Sequence, residues 1–415
     1  QAVEPAATAG RCRERWETVG VSEPADNARP RLSGALVAAG VFLVATCLRP
    51  AITSVGPLLG QIGAAEGLGE SALGWLGALP LLAFAAVSPL VSRFAARVGA
   101  ELAVLVALGV LAAGMAVRSW TGPAGLWLGT AVVGAAIAVG NVLVPALVRR
   151  DHPRHVSQAT GGYSAALVLA AATASALAVP IAAATDWRFA LAVWAIPTLV
   201  VAALWLPRVR VAAAPEPGAA PRHAGPSVWR QPMAWLVTAF MGLQSTTFYV
   251  TVTWLPSIEA AAGIPADVAG VHLFVFQGVG ILAGLAIPLL MHRPHSQVAA
   301  AVVSSVPMAV GVVGLLLAPA LVVLWVVVAG LGSGASLVVA LALVSLRGRS
   351  HHETARLSGM AQSVGYLFAA AGPIVAGLLA ERTGSWTASV LLVAALAAVQ
   401  VLVGALVGRD RARPA

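Results

Sequence analysis

The chain has 415 residues, of which 59% are hydrophobic and 10% charged, and its mean hydropathy is +0.88. That composition excludes an ordinary soluble domain and describes an all-α polytopic membrane protein. The net charge of +9 is carried entirely on arginine, yet the arginines lie in short segments between apolar runs, which fits the positive-inside rule and not a nucleic-acid partner.

Residues 1–33 are polar, with five arginines and five acidic residues, and read as a disordered cytoplasmic tail. No apolar segment precedes Gly34, so no cleaved signal peptide is expected and the first span serves as its own insertion signal. Twelve apolar spans follow, at 34–62, 72–92, 100–119, 124–148, 156–185, 188–206, 233–260, 267–291, 298–318, 320–346, 355–380 and 386–408. Only Ala318-Pro319-Ala320 separates the ninth from the tenth. A proline- and alanine-rich linker at 207–232 divides the spans six and six, giving halves at 34–206 and 233–408 and a second tail at 409–415. With the first tail placed inside, every arginine falls on the inner side except four. Arg118, Arg188 and Arg382 fall outside, and Arg49 lies within the first span. Both termini are therefore expected in the cytoplasm, below a plasma membrane of bacterial type.

The first span holds the one full charge placed deep in an apolar run. No charged residue lies between Gly34 and Leu48, and the next after Arg49 is Glu66. At a rise of about 1.5 Å per residue, Arg49 lies about 22 Å into a helix that starts near Gly34. That is well inside a hydrocarbon layer of about 30 Å, where an arginine costs about 2.5–3.5 kcal/mol and needs a partner, a solvated cavity, or both. Pro50 cannot donate a backbone hydrogen bond, and Gly56-Pro57 weakens the helix again. Freed carbonyls beside a guanidinium on a bendable helix point to a ligand site within the membrane. A guanidinium that ties two helices together satisfies the same residues.

The loop after the second span reads Ser88-Pro89-Leu90-Val91-Ser92-Arg93-Phe94-Ala95-Ala96-Arg97-Val98-Gly99. Its small residue, spaced arginines and glycine resemble the gating motif of the major facilitators, with Arg93, Arg97 and Gly99 as the latch. The aspartate usual in that motif is missing, and ordinary positive-inside charge accounts for the arginines equally well. On the fourth span Gly134, Ala138, Asn141 and Pro145 share one helical stripe, where an amide must face protein or a cavity. The seventh span carries Gln244, with Phe248, Tyr249 and Trp254 beyond it. Gln277 sits at matching depth on the eighth, and Gln362 and Tyr366 share a face of the eleventh. Four amides at middling depth beside aromatics suit a cavity for a small, flat, polar solute, although each alone also suits helix packing.

His272, in the outer part of the eighth span, titrates near neutrality if it meets water, and an interfacial position is expected for it. No Asp or Glu lies in the middle of any span; Glu66, Glu70, Asp186, Glu259, Asp267 and Glu381 are at outer ends, Glu101 and Asp151 at inner ends. No carboxylate relay for protons is visible, and no acid attracts a cationic drug. Lysine is absent, so there is no Walker motif. The His351-His352-Glu353 cluster lacks the second ligand pair of a zinc site. No enzyme activity, cofactor or metal is expected. Cys12 and Cys47 differ in depth and imply no disulfide.

The block Leu48-Arg49-Pro50-Ala51-Ile52-Thr53-Ser54-Val55-Gly56-Pro57 closely resembles the hallmark of the cyanate/2-nitroimidazole permease family of the major facilitators. Gly140-Asn141-Val142-Leu143-Val144-Pro145-Ala146-Leu147-Val148 is similar to that family's fourth span. Phe240-Met241-Gly242-Leu243-Gln244-Ser245, with Phe248-Tyr249 and Trp254-Leu255-Pro256, is similar to its seventh. Cys47 departs from the small polar residue expected beside Leu-Arg-Pro. The resemblance implies the major facilitator fold, twelve transmembrane helices in two pseudo-symmetric six-helix halves, and secondary or facilitated transport of small polar compounds by alternating access. The residues favour an anionic or electron-rich planar solute, since a guanidinium offers a donor fork to carboxylate, nitro or cyanate groups. The expected solute contacts are Arg49, Thr53, Asn141, Gln244, Tyr249, Gln277, Gln362 and Tyr366, and Pro50, Gly56 and Pro57 let the first helix flex. A monomer in the lipid bilayer is expected, with proton use through His272 or the solute left open. A multidrug efflux permease is the alternative, and a membrane sensor that binds without transporting is a second.

Overall fold

The computed structural model describes residues 34–152, 156–211, 227–291, 296–348 and 351–409. The expected tail at 1–33, residues 212–226 of the linker and residues 410–415 of the last tail lie outside them, as do the side chains of His351 and His352. The first span is three helices, α1 (Gly34–Cys47), α2 (Pro50–Thr53) and α3 (Leu59–Glu66), with a 3-10 turn at Gly56–Leu58. Then come α4 (Glu70–Val98), α5 (Ala100–Trp120), α6 (Gly122–Asp151) and α7 (Val156–Ala184). The sixth span is split into α8 (Trp187–Ala192) and α9 (Ala195–Val211). The second set is α10 (Pro232–Ala261), α11 (Ala266–Ala286), α12 (Val298–Leu317), α13 (Val322–Arg347), α14 (His351–Thr383) and α15 (Thr387–Gly408).

Among the described residues, eleven helical segments are long and apolar enough to cross a bilayer. The twelfth, α10, has 30 residues but carries Gln244, Ser245, Thr246, Thr247, Thr251, Thr253 and Glu259, which dilute its hydropathy. All of these except Thr251 are buried, so its polar groups face protein and it still serves as a span. Several boundaries differ from the sequence expectation, most of all at the second span, where the stretch expected as a loop from residue 88 is the last part of α4, which runs to Val98. The first span runs on to Glu66, because the second break redirects the chain without ending the helix. The sixth continues through Pro207 to Val211, the proline lying inside α9 near its end. Ala318 and a 3-10 turn at Pro319–Leu321 separate α12 from α13 and settle the count there.

In the first half α5 packs on α6 and α9, α4 on α6, and α1 against α6, α7 and α9. In the second, α12 packs on α13 and α15, α10 on α14 and α15, and α11 on α13. The halves meet along α4–α14 and α7–α11, with the 3-10 turn of the first span lodged against α7, α10 and α11. One face of the bundle gathers the helix ends that carry Arg93, Arg97, Arg149, Arg150, Arg208, Arg347 and Arg409. On this arginine-rich face Arg150 joins Glu101 of α5 at 2.5 Å and Asp151 at 3.0 Å, and Arg208 of α9 pairs with Asp151. Gly99 turns the chain from α4 to α5 at φ +89°, a conformation that suits only glycine.

At the opposite face the halves touch directly. A carboxylate oxygen of Glu381, in α14, accepts the backbone N–H of Ser71 at 2.7 Å and so caps α4 from the other half. Several glycines of this seam lie against backbone of the other half: Gly56 on the Val252 carbonyl, Gly74 on that of Pro373, Gly270 on that of Ser175, and Gly377 on that of Glu70. A methyl group at Gly56 has no room beside that carbonyl. Gly56→Ala is therefore expected to lower thermal stability by about 1–3 kcal/mol, the usual cost of overpacking, read as a lower unfolding temperature of the purified protein. An unchanged temperature would show that the crossing is looser than described.

Candidate functional site

The first span breaks where its prolines remove backbone donors. Pro50 has no N–H for the carbonyl of Thr46, four residues earlier, and α2 restarts with Pro50 in its first turn. Arg49 stands at this break as the N-cap residue of α2. Pro57 likewise has no N–H for the carbonyl of Thr53, and the Ser175 hydroxyl of α7 donates to that carbonyl at 3.1 Å instead. Val55 N–H bonds to the Ile52 carbonyl, which leaves Ala51 without its regular donor. Arg118 Nη1 fills that place at 2.6 Å, and Nη2 reaches the Leu191 carbonyl at 3.2 Å, just before the break between α8 and α9. Expected at the outer surface, Arg118 is buried in the bundle, fastening the breaks of the first and sixth spans.

Arg49 is half-buried and placed differently. Its Nη1 donates to the Tyr249 hydroxyl of α10 at 3.0 Å, a bond between the two halves. Its guanidinium carbon lies 5.8 Å from the Phe248 ring centroid and 5.7 Å from that of Tyr249. Nε is buried with no hydrogen-bond partner, and among the described residues no carboxylate pairs with this charge. Nor does any described acceptor receive the Tyr249 phenol proton. Tyr163 and Tyr366 also interact electrostatically with Arg49, so all three tyrosines of the protein gather at one guanidinium. Around them Phe248 stacks on Phe276 at 6.2 Å, and Phe84 of α4 meets the edge of Tyr366 at 5.4 Å across the halves.

The other expected site residues divide. Gly140 packs against Leu48, which brings the half-buried Asn141 to the level of Arg49. Its amide makes no hydrogen bond among the described residues. Gln362 lies one turn from Tyr366 and bonds to the Ser358 hydroxyl at 3.0 Å. Thr53 and Gln277 belong to a buried polar seam. The Thr53 hydroxyl donates to the Ala171 carbonyl at 2.9 Å, and the Gln277 amide donates to the Ser175 hydroxyl at 3.1 Å, joining α7 to α11. Gln244 donates to the neighbouring Ser245 hydroxyl at 2.7 Å. Pro50, Gly56 and Pro57 stand at the two breaks, whereas Arg93 and Arg97 are exposed on the arginine-rich face. His272 is buried against Glu259, not interfacial.

Tyr163, Phe84 and Phe276 were not among the expected contacts. The scarcity of tyrosine was the available signal: three amphipathic rings, each inside a span, require a polar partner for each hydroxyl.

A water-sized cavity lies beside Tyr249, lined by Ala51, Gly56, Pro80, Arg118, Thr130 and Thr253 among others. The arrangement offers an incoming solute a charged donor fork, a phenol proton and aromatic faces. It offers no acidic group, which disfavours cations.

The model of the Major Facilitator Superfamily matches residues 41–367. A 2-nitroimidazole transporter of Escherichia coli (strain K12) is 40% identical over 383 residues, covering 90% of this chain and 95% of the relative. The cyanate transport protein CynX of the same organism is 26% identical over 351 residues, covering 83% and 90%. Among solved structures, a bacterial homolog of the human lysosomal transporter Spinster, in an inward-facing and unoccupied conformation, superposes with a TM-score of 0.73 at 13% identity. That comparison covers 92% of this chain and 99% of the other, and it bears on fold alone.

Proposed function

The chain belongs to the Major Facilitator Superfamily, and we propose that it is a permease for a small anionic or planar electron-rich solute, working by alternating access as a monomer. The arginine-rich face and both termini are cytoplasmic in this reading, and the membrane is a bacterial plasma membrane. The single observation that carries it is Arg49: a guanidinium within the membrane, without a carboxylate, with one phenol as hydrogen-bond partner and Nε unpaired. Such a charge is costly unless something of opposite polarity comes to it. The two oxygens of a nitro group match the guanidinium fork, and a cyanate ion can accept its N–H groups at one end. A flat ring can lie against Phe248. In this reading the solute accepts the Tyr249 phenol proton and the free N–H groups of Arg49, and a slightly larger molecule extends toward Asn141 and Gln362. No chemical transformation is part of this reading.

Counterflow in proteoliposomes tests it. Labelled 2-nitroimidazole or cyanate outside is expected to exchange against the same unlabelled compound inside, and lipophilic cations are expected neither to compete nor to be carried. Binding without exchange would make the protein a sensor; carriage of cations would make it an efflux pump. Tyr249→Phe removes a hydrogen bond to a charged group worth about 1.5–3 kcal/mol. It is expected to raise the half-saturating solute concentration about tenfold or more. An unchanged value would take Tyr249 out of the site.

A further inference from the structure

Another pair of titratable side chains lies apart from Arg49. Glu259 in the last turns of α10 and His272 in the second turn of α11 face each other across the turn at 262–265. His272 Nδ1 is 3.0 Å from each carboxylate oxygen. Both are buried, and Glu259, 2% exposed, is the most deeply buried acid among the described residues. The titratable groups on the elements packed against α10 and α11 are all elsewhere. Asp267, Glu381 and Arg382 are exposed at the same face. Tyr163, Tyr249 and Tyr366 surround Arg49. Arg230, Arg347, Glu353 and Arg356, with positions His351 and His352, belong to the arginine-rich ends. The 3-10 turn Gly56–Leu58 and α15 carry none. Among the described residues only His272 pairs with Glu259.

With a neutral imidazole the pair carries one negative charge among Leu255, Ile258 and Leu273. A proton added at Nε2 makes the imidazolium, and the pair becomes neutral as a whole. Shutting the pair away from water therefore favours the proton-loaded form. Its position connects it to the solute. The 3-10 turn of the first span, a short way beyond Arg49, packs against α7, α10 and α11. Gly270, two residues before His272, lies so close to α7 that a Cβ there would be 2.8 Å from the Ser175 carbonyl. A change in spacing between α10 and α11 thus reaches both the seam and the broken span.

We infer that the Glu259–His272 pair is a proton-binding site, loaded as this face closes, whose occupancy couples solute movement to the proton gradient. One proton is taken from water onto Nε2 and one is returned to water; no other bond changes. This rests on the transport reading above. The experiment uses 2-nitroimidazole as probe, in proteoliposomes that enclose a pH-sensitive dye. The wild type is expected to show counterflow without a gradient. A pH gradient of about one unit accelerates net flux several-fold, and the dye reports protons moving in step with solute. Glu259→Gln removes the carboxylate that favours the imidazolium, so that burial disfavours loading the ring, and His272→Asn removes the titrating ring while keeping an amide donor. Both variants are expected to keep counterflow within about twofold of wild type and to lose the gradient response and the dye signal. The inference is overturned if either variant keeps the full gradient response, or if net solute flux through the wild type moves no protons. Absence of wild-type counterflow defeats the transport reading itself, which separates the two failures.

Discussion

Arg49→Ala is expected to abolish saturable solute transport while leaving the protein inserted, folded and no less stable than wild type. Removing one partner of a hydrogen-bonded charged contact costs about 2–5 kcal/mol, at least roughly 30-fold in solute affinity. The stability side runs the other way. Arg49 makes one side-chain bond, to a neutral phenol, and keeps a buried N–H without a partner. Deleting it relieves an insertion cost of about 2.5–3.5 kcal/mol and orphans no carboxylate. Arg49→Lys keeps the charge but replaces a planar fork by a compact ammonium, and its transport is expected to fall nearly as far. Uptake by proteoliposomes and thermal unfolding of the same preparations measure both effects. Lost stability in Arg49→Ala, with transport per folded molecule retained, would make this residue a tie between helices.

Arg118→Ala is expected to do the reverse. Its guanidinium supplies donors to two carbonyls that their own helices have abandoned, Ala51 at 2.6 Å and Leu191 at 3.2 Å. Each carbonyl left unsatisfied in a buried site costs about 1–3 kcal/mol. The variant is therefore expected to lose about 2–6 kcal/mol of stability, seen as a lower unfolding temperature and poor yield. Arg118→Lys can reach one of the two carbonyls and is expected to recover part of the loss. A stable Arg118→Ala protein would mean that water or a backbone shift replaces the clasp.

These two arginines also show where sequence is sufficient and where it is not. A charge inside a long apolar run needs no structure to be noticed, and Arg49 stands out for that reason. Arg118 falls in the last turn of α5, two residues before Trp120, where charge normally reaches water. Only the docking of a broken sixth span against it reveals a buried clasp. The twelve spans were legible because a bilayer demands about 20 apolar residues per crossing. The polar α10 was legible through its length and flanks. The orientation of middling-depth polar residues was not. Thr53, Gln277 and Asn141 look alike in sequence, yet the first two bond across helices, to the Ala171 carbonyl and the Ser175 hydroxyl, while Asn141 makes no such bond among the described residues. Depth along a helix fixes how much lipid a residue must avoid, not which helix will answer it. The Glu259–His272 pair could have been read more closely. Gly263, at φ +82°, and Pro265 turn α10 directly into α11, which sets an acid and an imidazole on adjoining antiparallel turns.

The glycine seam has a kinetic implication. Gly56, Gly74, Gly270 and Gly377 rest on bare main-chain oxygen of the facing half, so at these points no branched side chain is keyed into a hole. Smooth surfaces of this kind separate without dragging methyl groups past one another or resetting rotamers. The activation barrier for parting the halves there then combines dispersion attraction along the crossing, many small terms that fade gradually as the surfaces draw apart, with the few hydrogen bonds that cross it, Glu381 to Ser71 and Gln277 to Ser175. A carrier built this way favours rapid turnover over a firmly locked resting state.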